Sequence, residues 1–230
     1  MKEDKITNLL KAILIFVCYV FYSKIGTTLF GMVGLTDTVS MFISDFLFLI
    51  VIILCYKKKL KKDVSIFKEN YSLKEKILLI IKWVCIILVI NIIMGILTEI
   101  FYPELASGFD ENSSAVLQLF DMAFVYSIFK TLLFAPIAEE LIFKQMIRDV
   151  VKNDLAFILI SSAIYTAMNF MYASSAIFID LFGYFMLSAI LSLSYLKSHD
   201  NIIVVILIKF VYNLLPTIFL ILSMIVGFQI

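Results

Sequence analysis

The sequence is poor in the residues that build disulfide frameworks, histidine-containing metal sites and long irregular loops. It has three cysteines, one histidine, three prolines and seven glycines among 230 residues. Neither a Cys-x-x-Cys nor a Cys/His spacing occurs, so neither a disulfide framework nor a zinc knuckle is predicted. We expect no metal and no cofactor. Cys18, Cys55 and Cys85 each fall in an apolar run, where small buried hydrophobic side chains are expected.

Charged residues are also scarce. They make up 16% of the chain, the formal net charge is +1, and no basic cluster is interleaved with exposed aromatic residues. A nucleic-acid partner is therefore not expected. The chain is 63% hydrophobic with a mean hydropathy of +1.05. This composition predicts a polytopic membrane protein with the lipid bilayer as its surroundings, not a soluble domain.

Long apolar runs predict a single all-α domain over residues 1–230, a transmembrane helical bundle of about seven to eight helices. The runs lie at roughly 9–30, 38–56, 77–98, 116–134, 155–173, 176–196 and 202–229. The last run contains Pro216 and is compatible with one kinked helix or with two short helices. No small-residue cleavage site follows the charged N-terminus, so the first run is expected to remain as an anchor.

Lysines predict the orientation of these spans. The predicted loop at 57–76 carries eight lysines, whereas residues 99–111 carry four acidic residues and neither lysine nor arginine. By the positive-inside rule, the N-terminus and the Lys-rich 57–76 loop are predicted to be cytoplasmic, in a multi-pass protein of the cell (plasma) membrane. Recognition of anionic lipid is an alternative explanation for the lysines.

Two adjacent glutamates form the most informative polar feature. Pro136 suits the first turn of a helix, so a helix is predicted to begin there. At about 100° per residue, Glu139 falls on the apolar face of that helix, and Glu140, Lys144 and Arg148 form a separate surface ladder. A carboxylate on an apolar face is costly without a partner. Glu139 is therefore the functional candidate, and Glu140 has a structural explanation.

Later apolar runs contain further polar side chains. Ser162, Tyr165, Thr166 and Asn169 form one stripe, a spacing that is common in helix–helix packing within membranes. Lys209 precedes Asn213 by one helical turn and lies too deep in its run to reach the interface easily. An intramembrane lysine usually faces an acidic partner or a wet cavity. Glu139 is the first candidate partner of Lys209, and Asp180 is the second.

These segments share an order and a spacing with three known motifs. Glu139 and Glu140, with Lys144 four residues after Glu140, are similar to Glu-Glu-x-x-x-Arg, with lysine in place of arginine. The segments 165–169 and 209–213 are similar to Phe-x-x-x-His and His-x-x-x-Asn, with Asn169 and Lys209 in place of the histidines. The chain thus resembles the CAAX-protease and bacteriocin-processing (Abi, CPBP) family of intramembrane glutamic-type proteases, over a core at about 115–216.

The resemblance implies catalytic roles for five residues. In the family, the first glutamate of the pair activates a water with help from a histidine, and a histidine and an asparagine stabilise the oxyanion. Carried over, Glu139 is the base beside Glu140, Asn213 is an oxyanion donor, and Asn169 and Lys209 occupy the histidine positions. The family includes prenylprotein endopeptidases, members linked to bacteriocin self-immunity, and membrane partners of other proteins.

Two histidine replacements leave three functional hypotheses. The first is a pseudoenzyme with a degenerate peptidase site and a buried Glu139–Lys209 contact, acting in bacteriocin immunity or on a membrane protein or peptide partner. The second is an active, glutamate-dependent endopeptidase that processes prenyl or leader peptides. Asn169 cannot relay a proton, whereas a cationic Lys209 can stabilise an oxyanion. The third, a small transporter, rests only on intramembrane charges, and no inverted repeat supports it.

Overall fold

The computed structural model describes residues 2–102, 124–170 and 177–226, and the regular structure in these ranges is helical throughout. Three helices precede the first gap and four follow it. They are α1 (Lys2–Met32), α2 (Asp37–Asn70), α3 (Leu73–Phe101), α4 (124–150), α5 (Asp154–Asn169), α6 (Ile177–Lys197) and α7 (Ile202–Val226). The prediction of an all-α helical bundle is confirmed.

Within the described ranges, five helices are long and apolar enough to cross a membrane. They are α1, α2, α3, α6 and α7, whereas α5 is apolar but has only 16 residues. The predicted spans at 9–30, 77–98 and 176–196 correspond to α1, α3 and α6. The last run forms one helix, with Pro216 inside it. The predicted span at 116–134 falls partly on residues 103–123, which lie outside the described residues. The chain is a multi-pass membrane protein.

The prediction of a Lys-rich loop at 57–76 is wrong, because α2 continues as a helix to Asn70. One face of this extension is buried, with Tyr56, Asp63 and Phe67 pointing inward. Lys59 also pairs with Asp63 one turn later, at 2.9 Å. Burial and intrahelical pairing stabilise helix beyond the apolar run, and hydropathy does not detect either effect. Only a short connection separates Asn70 from the start of α3 at Leu73.

The prediction of buried cysteines is also wrong. Cys18, Cys55 and Cys85 are free thiols on the exposed surface of the bundle. A helix in a bilayer can direct apolar side chains at lipid as well as at other helices. An apolar run therefore predicts burial in the membrane and not burial in the protein.

α4 occupies a central position in the bundle. It packs against α1, α2, α5 and α7, and its residues Phe134, Ala138, Leu141 and Ile142 are fully buried. Aromatic side chains join it to the first two helices, since Tyr22 stacks on Phe48 with centroids 4.4 Å apart and on Phe134 at 5.9 Å. One side of α4 is thus surrounded by protein, whereas Val125 and Leu133 of the same helix are exposed.

Gly26 sets the spacing between α1 and α2, and replacing it is expected to destabilise the bundle. An added Cβ would lie 1.9 Å from Ser44 Oγ and 2.7 Å from Ser44 Cβ. We expect Gly26→Ala to lower the free energy of unfolding by about 1–3 kcal/mol, the typical cost of overpacking. Thermal unfolding in detergent measures this effect. Gly31→Ala is the matched control, because nothing lies within 4 Å of its added Cβ. Equal midpoints for the two variants would contradict close packing at Gly26.

Candidate functional site

The backbone of α4 departs from α-helical geometry where it carries the two glutamates. It is π-helical over Lys130–Glu139 and again over Leu141–Met146, and it returns to α-helix over Ile147–Val150. In π-helix each carbonyl pairs with the N–H five residues later, and such segments are rare and frequent at functional sites. Pro136 lies inside this helix, so the prediction that a helix begins there is wrong.

Lys209 of α7 lies between the two glutamates of α4. Its Nζ donates to Glu139 Oε2 and to Glu140 Oε1, each at 2.7 Å. The Lys209 and Glu140 side chains are 4% and 1% exposed, whereas Glu139 keeps 17% exposure. The predicted Glu139–Lys209 contact is confirmed. The structure adds that one ammonium group is shared by both carboxylates.

The predicted surface ladder of Glu140, Lys144 and Arg148 is wrong. Glu140 and Lys144 are buried, and Arg148 pairs with Asp154 at 2.9 Å and with Asp200 at 3.1 Å. Lys144 still follows Glu140 by about one turn, but the side of α4 that carries both residues faces other helices of the bundle. A helical wheel predicts which residues share a side, and tertiary packing decides which side meets protein.

Lys144 enters a buried cluster of serines. Its Nζ donates to Ser161 Oγ of α5 at 3.0 Å and to Ser188 Oγ of α6 at 2.6 Å. Ser192, one turn after Ser188, donates to Ser161 Oγ at 3.2 Å. These serines were not among the site residues predicted from the sequence. The pair Ser188 and Ser192, spaced i, i+4 inside an apolar helix, was the available signal.

Tyr165 lies close to both buried lysines. Lys209 Nζ lies 5.0 Å from the centroid of its ring and Lys144 Nζ lies 5.8 Å from it. Phe143 meets the same ring edge-on, with centroids 5.2 Å apart. A ring face attracts a cation within about 6 Å. Tyr165 therefore helps to hold two positive charges close together in the core.

Asn213 contacts the backbone of α4. Its Nδ2 donates to the carbonyl of Thr131 at 2.8 Å. In π-helical pairing the carbonyl of Thr131 requires the N–H of residue 136, and Pro136 has no N–H. The asparagine side chain therefore satisfies a carbonyl that Pro136 leaves without a partner.

The structure brings three of the five predicted site residues into one ion cluster and places the other two in separate contacts with backbone carbonyls. Glu139, Glu140 and Lys209 form the ion cluster, and Asn213 binds the helix that carries the glutamates. Asn169 donates instead to the carbonyl of Tyr165, in its own helix, at 2.8 Å. The catalytic roles of these residues remain predictions.

A second intramembrane charge cluster lies nearer the start of α4. Asp45 of α2 accepts from Tyr22 at 2.6 Å, from Tyr126 at 3.0 Å and from Lys130 at 2.7 Å. Asp45 is fully buried, and Lys130 is 38% exposed. Sequence analysis missed this pair, although opposite charges in the predicted spans 38–56 and 116–134 were the signal. The cluster fixes α4 against α1 and α2.

Metal binding finds no support in the described part of the chain. Its histidine, cysteine, aspartate and glutamate side chains form no group of three or more that could hold an ion. The single histidine, His199, is exposed in the turn between α6 and α7, with φ 56°. Lys209 Nζ is the cation that the Glu139–Glu140 pair contacts.

The fold and the site define a helical membrane protein with buried, paired charges. Residues 121–215 match the family model described as type II CAAX prenyl endopeptidase Rce1-like. This match confirms the predicted relationship to the CAAX-protease family: the chain is an integral membrane, CAAX-protease-like protein over that region. A search of curated proteins and a search of solved structures found no match.

Proposed function

We propose that this protein keeps the CAAX-protease-like fold around a lysine-bridged glutamate pair and acts by binding a membrane protein or peptide, not by hydrolysis. One observation carries the proposal. The Lys209 ammonium donates to both glutamates at 2.7 Å. In the family the first glutamate activates a water, which requires free lone pairs on its carboxylate. Here Glu139 Oε2 already accepts from an ammonium group, so one of the two carboxylate oxygens is engaged.

The remaining polar groups support the same proposal. Asn169, at a histidine position, can donate a hydrogen bond but cannot titrate, so it cannot relay a proton. Asn213, at the predicted oxyanion position, uses a side-chain N–H on the carbonyl of Thr131. Loss of one oxyanion donor alone typically lowers kcat by about 10²–10³-fold. The site therefore has no titratable group at the Asn169 position, and one side-chain N–H of the predicted oxyanion donor is already in use.

The proposed biological role follows the non-hydrolytic branch of the family. We place the protein in bacteriocin self-immunity or in regulation of a membrane partner, where the bundle and its charge cluster provide structure. In this role an ion pair between Lys209 and one of the two glutamates is sufficient to stabilise the core. The exact carboxylate of Glu139 is then dispensable for function.

The proposal predicts that Glu139→Ala still supports function. A strain that lacks the protein, complemented with Glu139→Ala, should match the strain complemented with the unaltered gene. Glu99→Ala is the control, because Glu99 is an exposed glutamate of α3. In parallel, purified protein should leave prenylated and leader-peptide substrates intact by mass spectrometry. Cleavage that disappears with Glu139→Gln, or loss of function with Glu139→Ala at normal protein levels, would overturn the proposal.

The second candidate function is an active, glutamate-dependent intramembrane endopeptidase. The 17% exposure of the Glu139 side chain favours it, since the carboxylate is not sealed from its surroundings. In that mechanism Glu139 activates water and Lys209 stabilises the oxyanion as a cation. Cleavage would then be insensitive to zinc chelators and lost in Glu139→Gln, so the same assay separates the two functions.

A further inference from the structure

The extension of α2 beyond its apolar part presents a surface that neither the fold nor the proposed function uses. α2 has 34 residues, which corresponds to about 51 Å of α-helix. The hydrocarbon core of a bilayer is only about 30 Å thick. A substantial part of α2 therefore lies outside the hydrocarbon, and this part contains most of the lysines of residues 57–76.

The exposed surface of α2 changes abruptly along the helix. Phe46, Leu47, Ile50, Val51 and Leu54 are exposed apolar side chains, as expected for a lipid-facing surface. The exposed residues that follow are dominated by lysine. Four of them form what we call the basic face: Lys57, Lys58, Lys61 and Lys62. The change between Leu54 and Lys57 marks the end of the hydrocarbon-facing part of α2.

Spacing puts these lysines at headgroup depth. Lys57 and Lys61 are one helical turn apart, as are Lys58 and Lys62, so the four project from one side of α2. Along the axis they lie within about 12 Å of Leu54. The one acidic residue among positions 55–64, Asp63, is buried and pairs with Lys59 at 2.9 Å. The basic face thus carries four lysines and no acidic side chain.

The opposite side of the same segment holds the start of α7. Asp63 Oδ2 accepts from the N–H of Ile202 at 2.8 Å, and Asn201 Nδ2 donates to the carbonyl of Asp63 at 3.0 Å. Lys59 Nζ donates to the carbonyl of Asp200 at 2.7 Å. One side of the α2 extension is therefore fixed to α7, which carries Lys209, and the other presents the basic face.

We propose that the basic face binds the headgroups of anionic phospholipids in the leaflet that surrounds this end of α2. Juxtamembrane clusters of four or more lysines attract the headgroups of anionic lipids electrostatically. Long lysine side chains also reach the interface easily from this depth. Because the same segment is fixed to α7, bound lipid holds α7 at a constant depth in the bilayer. This inference does not depend on whether the site hydrolyses peptides.

Lipid titration of the full-length protein tests the inference. Detergent-solubilised protein is titrated with dioleoyl phosphatidylglycerol or with dioleoyl phosphatidylcholine, and bound lipid is counted by native mass spectrometry. We expect preferential binding of phosphatidylglycerol, weakened by added salt. Replacing Lys57, Lys58, Lys61 and Lys62 by glutamine should lower its affinity about tenfold or more, with phosphatidylcholine binding unchanged.

A single lysine on the same helix provides the matched control. Lys68 is exposed but lies about 21 Å beyond Leu54, which is farther than the Debye length of about 10 Å at moderate salt. Lys61→Gln should therefore weaken phosphatidylglycerol binding more than Lys68→Gln does. Unchanged affinity in the fourfold variant would overturn the proposal. Equal losses for Lys61→Gln and Lys68→Gln would also overturn it, because the effect would then reflect total charge. Far-UV circular dichroism confirms that each variant is folded.

Discussion

Lys209→Met is expected to destabilise the folded protein by about 3–5 kcal/mol, the usual cost of removing one partner from a buried ion pair. The ammonium of Lys209 is the cation within bonding distance of both Glu139 and Glu140. Without it, Glu140 would be a buried carboxylate with no neutralising contact, close to a second carboxylate. Total stabilities of about 5–15 kcal/mol are normal, so this loss should be visible as a large fall in the unfolding midpoint in mixed micelles.

Compensating substitutions distinguish lost charge balance from lost packing. The double variant Lys209→Met, Glu139→Gln leaves one carboxylate, Glu140, with the buried Lys144 with which it interacts electrostatically, and it should recover most of the stability. Lys197→Met is the control, because Lys197 is exposed at the end of α6. An unfolding midpoint for Lys209→Met equal to that of Lys197→Met would show that the ion cluster contributes no stability.

Asn213→Leu is expected to cost about 1–3 kcal/mol, because it removes the side-chain donor from the partly buried carbonyl of Thr131. If Asn213 replaces the N–H that Pro136 lacks, the effects of substituting these two residues on stability must be coupled. In Pro136→Ala the backbone supplies an N–H five residues after Thr131, so the π-helical bond can form and the side chain of Asn213 becomes redundant. Asn213→Leu should therefore cost less in the Pro136→Ala background. The coupling free energy of this double-mutant cycle should lie at about 0.5–3 kcal/mol.

Asn169→Leu is the matched control for this cycle. Asn169 donates to the carbonyl of Tyr165, four residues earlier in the same helix, and the backbone N–H of a helix already serves that carbonyl. Its removal leaves no new unpaired group, so the expected change is small. The four variants of the cycle and the control are compared by their free energies of unfolding in micelles. Strictly additive effects of Asn213→Leu and Pro136→Ala would show that Asn213 does not replace the missing N–H.

The membrane class and most spans could be predicted because they depend on local composition. An apolar run long enough to cross a bilayer must satisfy its backbone internally, so it forms a helix whatever its neighbours are. α1, α3, α6 and α7 lie close to their predicted runs for this reason. The end of α2 was predicted incorrectly, since the helix from residue 57 to Asn70 depends on Tyr56, Asp63 and Phe67 packing against other helices.

The contact between Glu139 and Lys209 was also predictable, although the residues are 70 positions apart. An isolated charge in a membrane is so costly that a lysine and a glutamate in different spans are expected to meet. The same rule, applied to Asp45 and Lys130, would have predicted the second cluster. Burial cost identifies which charges need partners. It does not say how many charges share one partner, and here the two carboxylates of Glu139 and Glu140 share Lys209.

The sequence by itself determined that this is an all-helical membrane protein that is similar to CAAX proteases over residues 121–215, with a lysine and a glutamate paired in its core. These results follow from hydropathy, motif order and the cost of unpaired charge. Only the tertiary structure decided which glutamate is buried, where Lys144 points and what Asn213 binds. The first two depend on which side of α4 packs against the other helices, and the third depends on the helical pairing that Pro136 interrupts. A helical wheel shows which residues share a side but not which side faces protein, so these contacts follow only from the assembled bundle.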